Sequence, residues 1–237
     1  MKKNFFFKNL FRLLKNKSEF KFIFYFLSYS LAYFLNEKKI NYYNLEKWKE
    51  LTKGRKISEK WFQRNIFFLD KHLHDFKSKN NKILEIGSFE GISAIYFIKN
   101  FQNSYLTCVD PFTGSDEHDY IKDKNILEKN FDFNLNEFND KFEKVKNKSE
   151  NYFISNQNMF DIIYIDGSHE YFDVYNDAIS SFKFCKKGGC LIFDDYFWTF
   201  YKNEKNPLLA INKFYSENKK SLQLLFLGQQ IIFKKLD

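Results

Sequence analysis

Four residues, Asp166, His169, Asp194 and Asp195, have the types and spacing for proton transfer or cation binding. Asp166 follows the apolar run Phe160–Ile165, and Asp194-Asp195 follow the apolar run 189–193. If the runs are neighbouring strands, about 4.8 Å apart, their end carboxylates face one small volume. Like charges so close raise a pKa or recruit a cation. Oxygen ligands suit magnesium, which keeps waters open to a substrate and would acidify a bound hydroxyl. Asp166, Asp194 and Asp195 are the expected ligand set. Adjacent strand residues point to opposite faces, so Asp194 and Asp195 both serve only if the strand ends there. The alternative gives one acid a cofactor ammonium and the other a helix N-terminus. His169, three residues after Asp166, could take a hydroxyl proton or bond only backbone and the neighbouring acids. Catalysis is thus expected of Asp166, His169 and Asp194.

A second constellation lies upstream. The apolar run Lys82–Ile86 reads as a buried strand, ends in Gly87-Ser88-Phe89-Glu90-Gly91, and runs into a helical pattern. A strand, a tight glycine turn and a helix bring backbone close to a nucleotide-like ligand. A Cβ at Gly87 or Gly91 is expected to block that approach or strain the backbone. The next strand ends in Asp110, 19 residues after Gly91, where an acid reaches ribose hydroxyls in such folds.

In order and spacing, Glu85-Ile86-Gly87-Ser88-Phe89-Glu90-Gly91, Asp110, Asp166-Gly167-Ser168-His169-Glu170-Tyr171 and Asp194-Asp195-Tyr196 resemble the class I S-adenosylmethionine-dependent methyltransferases. The pattern is most similar to the branch that methylates hydroxyls of small molecules and sugars. The resemblance spans roughly residues 82–235. Phe89 stands where many such enzymes have a third glycine. The resemblance implies S-adenosylmethionine, with magnesium as a further cofactor, and an acceptor that is a small molecule or sugar. It implies a cofactor set of Glu85, Gly87, Ser88, Phe89, Gly91, Asp110, Ser149 and Asp166. Glu85 would hold the loop and the methionine ammonium, Asp110 the ribose, and the Ser149 loop would border the adenine. Ser149 could equally cap the helix it begins. Phe112, Tyr171, Tyr196, Phe197 and Trp198 are candidates for the acceptor pocket, and His118 for a loop above it.

These residues need a scaffold, and the hydropathy pattern provides one. Strand runs fall at 82–86, 104–109, 141–146, 161–166, 189–194, 222–227 and 230–235. Helical patterns fall at 91–101, 121–131, 149–156, 171–186 and 207–219. Such alternation implies an α/β fold with a parallel sheet covered on both faces. The short turn before the last run forces an antiparallel hairpin. The resemblance implies a Rossmann-like, seven-stranded sheet of order 3-2-1-4-5-7-6. Residues 79–237 would form this domain and residues 1–78 an N-terminal helical extension, with helices at 22–35, 45–52 and 58–76.

Composition bounds the partners. The chain has 237 residues, a net charge of +8, 32 Phe, 8 Gly and 2 Pro. Lysine dominates the positive charge, acids are interspersed, and no basic stripe marks a nucleic-acid surface. Cys108, Cys185 and Cys190 lack metal-type spacing and read as reduced core thiols of a cytoplasmic protein. Residues 22–35 are charge-free but shorter than the roughly 20 apolar residues of a membrane span. They read as a helix buried on the domain or on a second subunit. Residues 1–40 could alternatively make peripheral membrane contact, because Phe and Leu alternate with Lys and Arg. Methylation of nitrogen or RNA, and a cofactor-binding scaffold without chemistry, are the competing functions.

Overall fold

A computed structural model describes residues 3–114, 119–200 and 206–237; His118 lies outside them. The chain opens with α1 (Lys3–Lys15), α2 (Phe20–Thr52) and α3 (Ile66–His72). The alternating part follows: β1 (Lys82–Ile86), α4 (Ile92–Asn100), β2 (Tyr105–Val109), α5 (Asn125–Leu135), β3 (Phe142–Val145) and α6 (Ser149–Ser155). It continues with β4 (Phe160–Ile165), α7 (Tyr171–Phe184), β5 (Cys185–Phe193), α8 (Pro207–Asn218), β6 (Leu222–Leu227) and β7 (Ile231–Lys235). The sheet order is β3-β2-β1-β4-β5-β7-β6. β7 runs antiparallel to both neighbours and the other pairings are parallel. This is the seven-stranded α/β sheet the sequence implies.

The strands are apolar on both faces because helices cover both faces. Ile83, Leu84, Ile162, Ile163, Leu191 and Ile192 are all buried. β1 and β4 are adjacent although three helices separate them in sequence, so the strand order reverses between them. Loops leaving the C-terminal ends of strands diverge at such a point and open a crevice. Ile86 pairs with both Val109 and Ile165, and Ile165 with Phe193. The ends of β2, β1, β4 and β5 are therefore level, and Asp110, Gly87, Asp166 and Asp194 emerge side by side.

The amino-terminal helices share the same core. Phe22 packs on Tyr196, Tyr215 and Phe233, and Tyr29 on Phe226. Their boundaries differ from the sequence reading. The expected helices at 22–35 and 45–52 are one helix, α2, kinked where Asn36 leaves helical geometry. Buried Ile40, Asn44, Trp48 and Leu51 carry the helical period past the charged residues Lys38 and Lys39. The expected helix at 58–76 breaks into a 3-10 turn (Trp61–Asn65), α3 and a second 3-10 turn (His74–Phe76). Asn44 braces the break. Its Nδ2 donates to the Arg64 carbonyl and its Oδ1 accepts from the Phe67 N–H, satisfying groups a continuous helix would pair internally.

The helix expected at 121–131 lies at Asn125–Leu135, after a turn in which Asp123 accepts from the Asn125 N–H. β5 begins four residues earlier than expected, at Cys185. It pairs with Phe160 there, then shifts register around Gly188, whose φ is +77°.

Candidate active site

The crevice is a cavity of about 510 Å³, lined from the ends of β1, β2, β4 and β5 and from residues 57–64 of the amino-terminal segment. Gly87, Ser88, Phe89, Asp110, Ser149, Asp166, His169, Asp194 and Asp195 all line it; Glu85 and Gly91 do not.

The glycine loop is held from beneath. Asp110 Oδ2 accepts from the Ser88 and Phe89 N–H groups at 2.7 and 2.8 Å, and Oδ1 accepts from Phe112 N–H at 2.6 Å. Burial pushes the Asp110 pKa up, and those three N–H donors oppose the shift. A carboxylate offers about four acceptor positions. The three N–H groups take up all but about one of them.

Glu85 is fully buried beneath Ser88, whose hydroxyl donates to Oε2 at 2.6 Å. Burial raises its pKa to about 7, against the Ser88 bond. Glu85 does not line the cavity and meets it through the loop, by way of Ser88.

The protein's own packing already demands both glycines. A Cβ on Gly87 would stand 2.0 Å from the Asp166 carbonyl oxygen, and one on Gly91 would stand 2.3 Å from Leu135 Cδ1. Both have φ above +80°. Phe89 adopts φ +48°, in the left-handed region that favours glycine. Its ring lies 5.4 Å from that of Trp61.

The acids divide in a way the sequence did not reveal. Asp194 turns inward, with its carboxylate accepting from Asn65 Nδ2 at 2.9–3.0 Å, Gln230 Nε2 at 3.2 Å and the Tyr164 hydroxyl. β5 ends at Phe193, and Asp195 takes φ +49°, which swings its side chain the other way. Arg64 donates to Asp195 Oδ1 at 2.6 Å. His169 Nε2 lies 3.7 Å from both Asp195 Oδ2 and Asp166 Oδ1.

One potential ligand atom each from Asp166, His169 and Asp195 lies within 4.8 Å of the others. That set of two carboxylates and an imidazole fits a divalent cation. The expected third acid, Asp194, is not part of it, because its lone pairs are committed to neutral donors inside the fold. Burial, then the charges of Asp194 and Asp195, push the Asp166 pKa well up, while His169 opposes them.

Ser149 is the first residue of α6 and follows the N-cap position, so the capping role falls away. It faces the buried Asp177, whose pKa burial raises to about 7 against the Ser149 hydrogen bond. The aromatic candidates are redistributed. Phe112 packs on Phe131, and Tyr196 and Phe197 pack on Phe22 and Phe26 in the core. Trp198 lies beside His169 at 5.7 Å. Trp61 and Phe62 line the cavity instead. Asn65, Gln230 and Arg64 carried no readable signal, being polar residues within segments that read as an ordinary helix and a turn.

A family model described as a methyltransferase domain matches residues 84–196. Uncharacterized protein R132 of Acanthamoeba polyphaga mimivirus is 30% identical over 166 residues, covering 65% of this chain and 72% of that protein. Among solved structures, the O-methyltransferase TomG from Streptomyces achromogenes, in complex with SAM, has a TM-score of 0.57 at 12% identity. The match covers 82% of this chain and 90% of TomG. MycE of the mycinamycin pathway, in complex with Mg, SAH and mycinamycin VI, has a TM-score of 0.57 at 13% identity. That match covers 79% of this chain and 53% of MycE, so this chain spans about half of that longer protein. A Clostridium thermocellum protein assigned as an rRNA methylase has a TM-score of 0.54 at 10% identity, over 77% of this chain and 99% of that one. Sheet order, crevice and the domain match over residues 84–196 together give the chain the fold of the class I S-adenosylmethionine-dependent methyltransferases.

Proposed function

We propose that the protein transfers the methyl group of S-adenosylmethionine to a hydroxyl of a small molecule or sugar, at the crevice where Asp166, His169 and Asp195 converge. That convergence, beside a loop cradle built on Asp110, carries the reading. Hydroxyl methylation needs a group that removes a proton near neutral pH. His169 Nε2 lies between two carboxylates that would stabilise the imidazolium it becomes. The acceptor oxygen bonds to the methyl carbon as the methyl–sulfur bond breaks, and the hydroxyl proton passes to His169.

A divalent cation on Asp166, His169 and Asp195 would supply Lewis acidity toward the acceptor oxygen. Asp166 and Asp195 orient the histidine in either case. Asp194, tied to Asn65, Gln230 and Tyr164, positions Asp195 by fixing the residue before it. Ser88, Phe89 and Ser149 would hold the cofactor in the half of the cavity over β1 to β3.

The cavity lining also bears on the acceptor. Glu59, Glu90, Asp110, Glu150, Asp166 and Asp195 share it with few cations, among them Arg64 and Lys148. An acid-rich mouth repels a polyanion, which favours a neutral or cationic small acceptor over RNA. The test is transfer of labelled methyl from S-adenosylmethionine to a panel of hydroxylated sugars and phenols, with amines and RNA alongside. Transfer to hydroxyls that is lost in His169→Ala or on chelation is expected. Transfer confined to amines or RNA overturns the oxygen assignment.

A further inference from the structure

The amino-terminal helices carry an outer face that the methyl-transfer site does not use. On α1, Phe7, Phe11 and Leu14 are exposed; on α2, Phe20, Phe24, Leu27, Leu31 and Phe34 are exposed, with Phe20 at 81% and Phe34 at 75%. The spacing of four and three residues sets each group along one side of its helix. The opposite sides are fixed to the body. Leu13, Phe22 and Phe26 are buried, and Phe6 stacks on Phe26. Arg12 donates to the Phe197 carbonyl at 2.7 Å, tying α1 to the loop that follows Asp195. So many large apolar side chains held outward on an ordered surface mark a contact site.

Charge selects the occupant. The first 35 residues contain seven basic residues and one acid, Glu19. Glu19 is paired with Lys219 at 3.2 Å. Lys8, Lys15 and Lys17 are exposed on or just after α1. Two copies of this face would bring like charges together, which opposes pairing. An anionic lipid surface presents the opposite charge and an apolar layer below it. No helix among the described residues is long and apolar enough to cross a membrane. We infer that α1 and the first half of α2 form a docking face for an anionic membrane surface, with Phe and Leu entering the acyl boundary and the lysines meeting headgroups.

The full chain should sediment with vesicles of phosphatidylcholine mixed with phosphatidylglycerol, and much less with phosphatidylcholine alone. Binding should weaken as salt rises. Lys8→Gln and Lys15→Gln should each weaken it by about fivefold, and the double variant Phe24→Ser/Leu31→Ser should abolish it. All four side chains are exposed, so unchanged thermal unfolding separates lost binding from lost folding. Failure to sediment with anionic vesicles overturns the inference. So does a lipid-free dimer that Phe24→Ser/Leu31→Ser dissociates, because a second copy would then cover the face.

Discussion

The β1–β2 rim and the β4–β5 rim face the same cavity, but they handle negative charge differently. At the first rim, Asp110 meets three backbone N–H groups and stands at the turn it shapes. At the second, Asp166, Asp194 and Asp195 crowd together, and their charges reinforce one another. The first arrangement is balanced largely by the protein's own N–H groups and holds the loop in shape. The second is unbalanced without a proton or a cation, which is the condition acid–base or metal chemistry needs. Within the second rim the contrast repeats at the scale of one peptide bond: Asp194 is satisfied by buried neutral donors, and Asp195 faces Arg64 and His169.

The strongest test separates that adjacent pair. Asp194→Ala strands the donors of Asn65, Gln230 and Tyr164 in the interior, so urea denaturation should show a loss of about 3–5 kcal/mol. Asp195→Ala should cost less than about 1 kcal/mol in stability while methyl transfer falls at least tenfold. Equal stability losses for the two variants would erase the distinction drawn between them.

Glu85 gives the next effect, through pH. Its folded pKa of about 7 lies above the usual carboxylate value, so the folded state binds its proton more tightly than the unfolded chain. That contribution is full below about pH 4.5 and is lost as pH rises through 7, a span of about 3 kcal/mol. Asp177 slopes the same way, and His72, lowered to about 4 by burial, slopes the opposite way. The difference between wild type and Glu85→Gln isolates Glu85. It should change with pH between 4.5 and 7, and a flat difference would show that Glu85 titrates as an exposed acid does.

At the first rim, Asp110→Ala should weaken binding of S-adenosylhomocysteine by about 1–3 kcal/mol in calorimetry, as for a charged hydrogen-bonded group. The loss would come mainly through the slackened Ser88–Phe89 loop. A folded variant with unchanged affinity would remove Asp110 from the cofactor site.

These contrasts were only partly legible in the sequence. Strand-end acids and the alternation of apolar runs located the sheet and its rim, because both follow from local pattern. Asn44 bracing a helix break, or Asn65 and Gln230 closing on Asp194, depend on contacts across 23 to 129 residues of chain. No periodicity records such contacts. The glycine turn is visible in the sequence, but the atom that claims the space at Gly87, the Asp166 carbonyl, is brought near only by the pairing of β1 with β4. Asp195 escapes the alternation rule by taking a left-handed conformation just beyond the strand, one that Asp adopts more readily than most residues but only where its surroundings demand it.

The smallest expected effect concerns Arg64, which bridges the two halves of the chain. Its guanidinium donates to Asp195 Oδ1, and both side chains are partly exposed. An ion pair in that setting contributes about 0–1 kcal/mol, so Arg64→Ala should barely move the unfolding midpoint. Its effect on cation binding should be larger than its effect on folding, because a guanidinium and a divalent cation compete for the same carboxylate. Removing Arg64 leaves Asp195 more negative toward the cavity. Manganese affinity, followed by electron paramagnetic resonance, should tighten several-fold in Arg64→Ala and fall away in Asp195→Ala. Arg64→Lys should lie between wild type and Arg64→Ala, because lysine keeps the charge and loses the fixed fork of donors. If Arg64→Ala weakens manganese binding instead, Arg64 holds Asp195 in place for the cation, and the second rim is preorganised after the manner of the first.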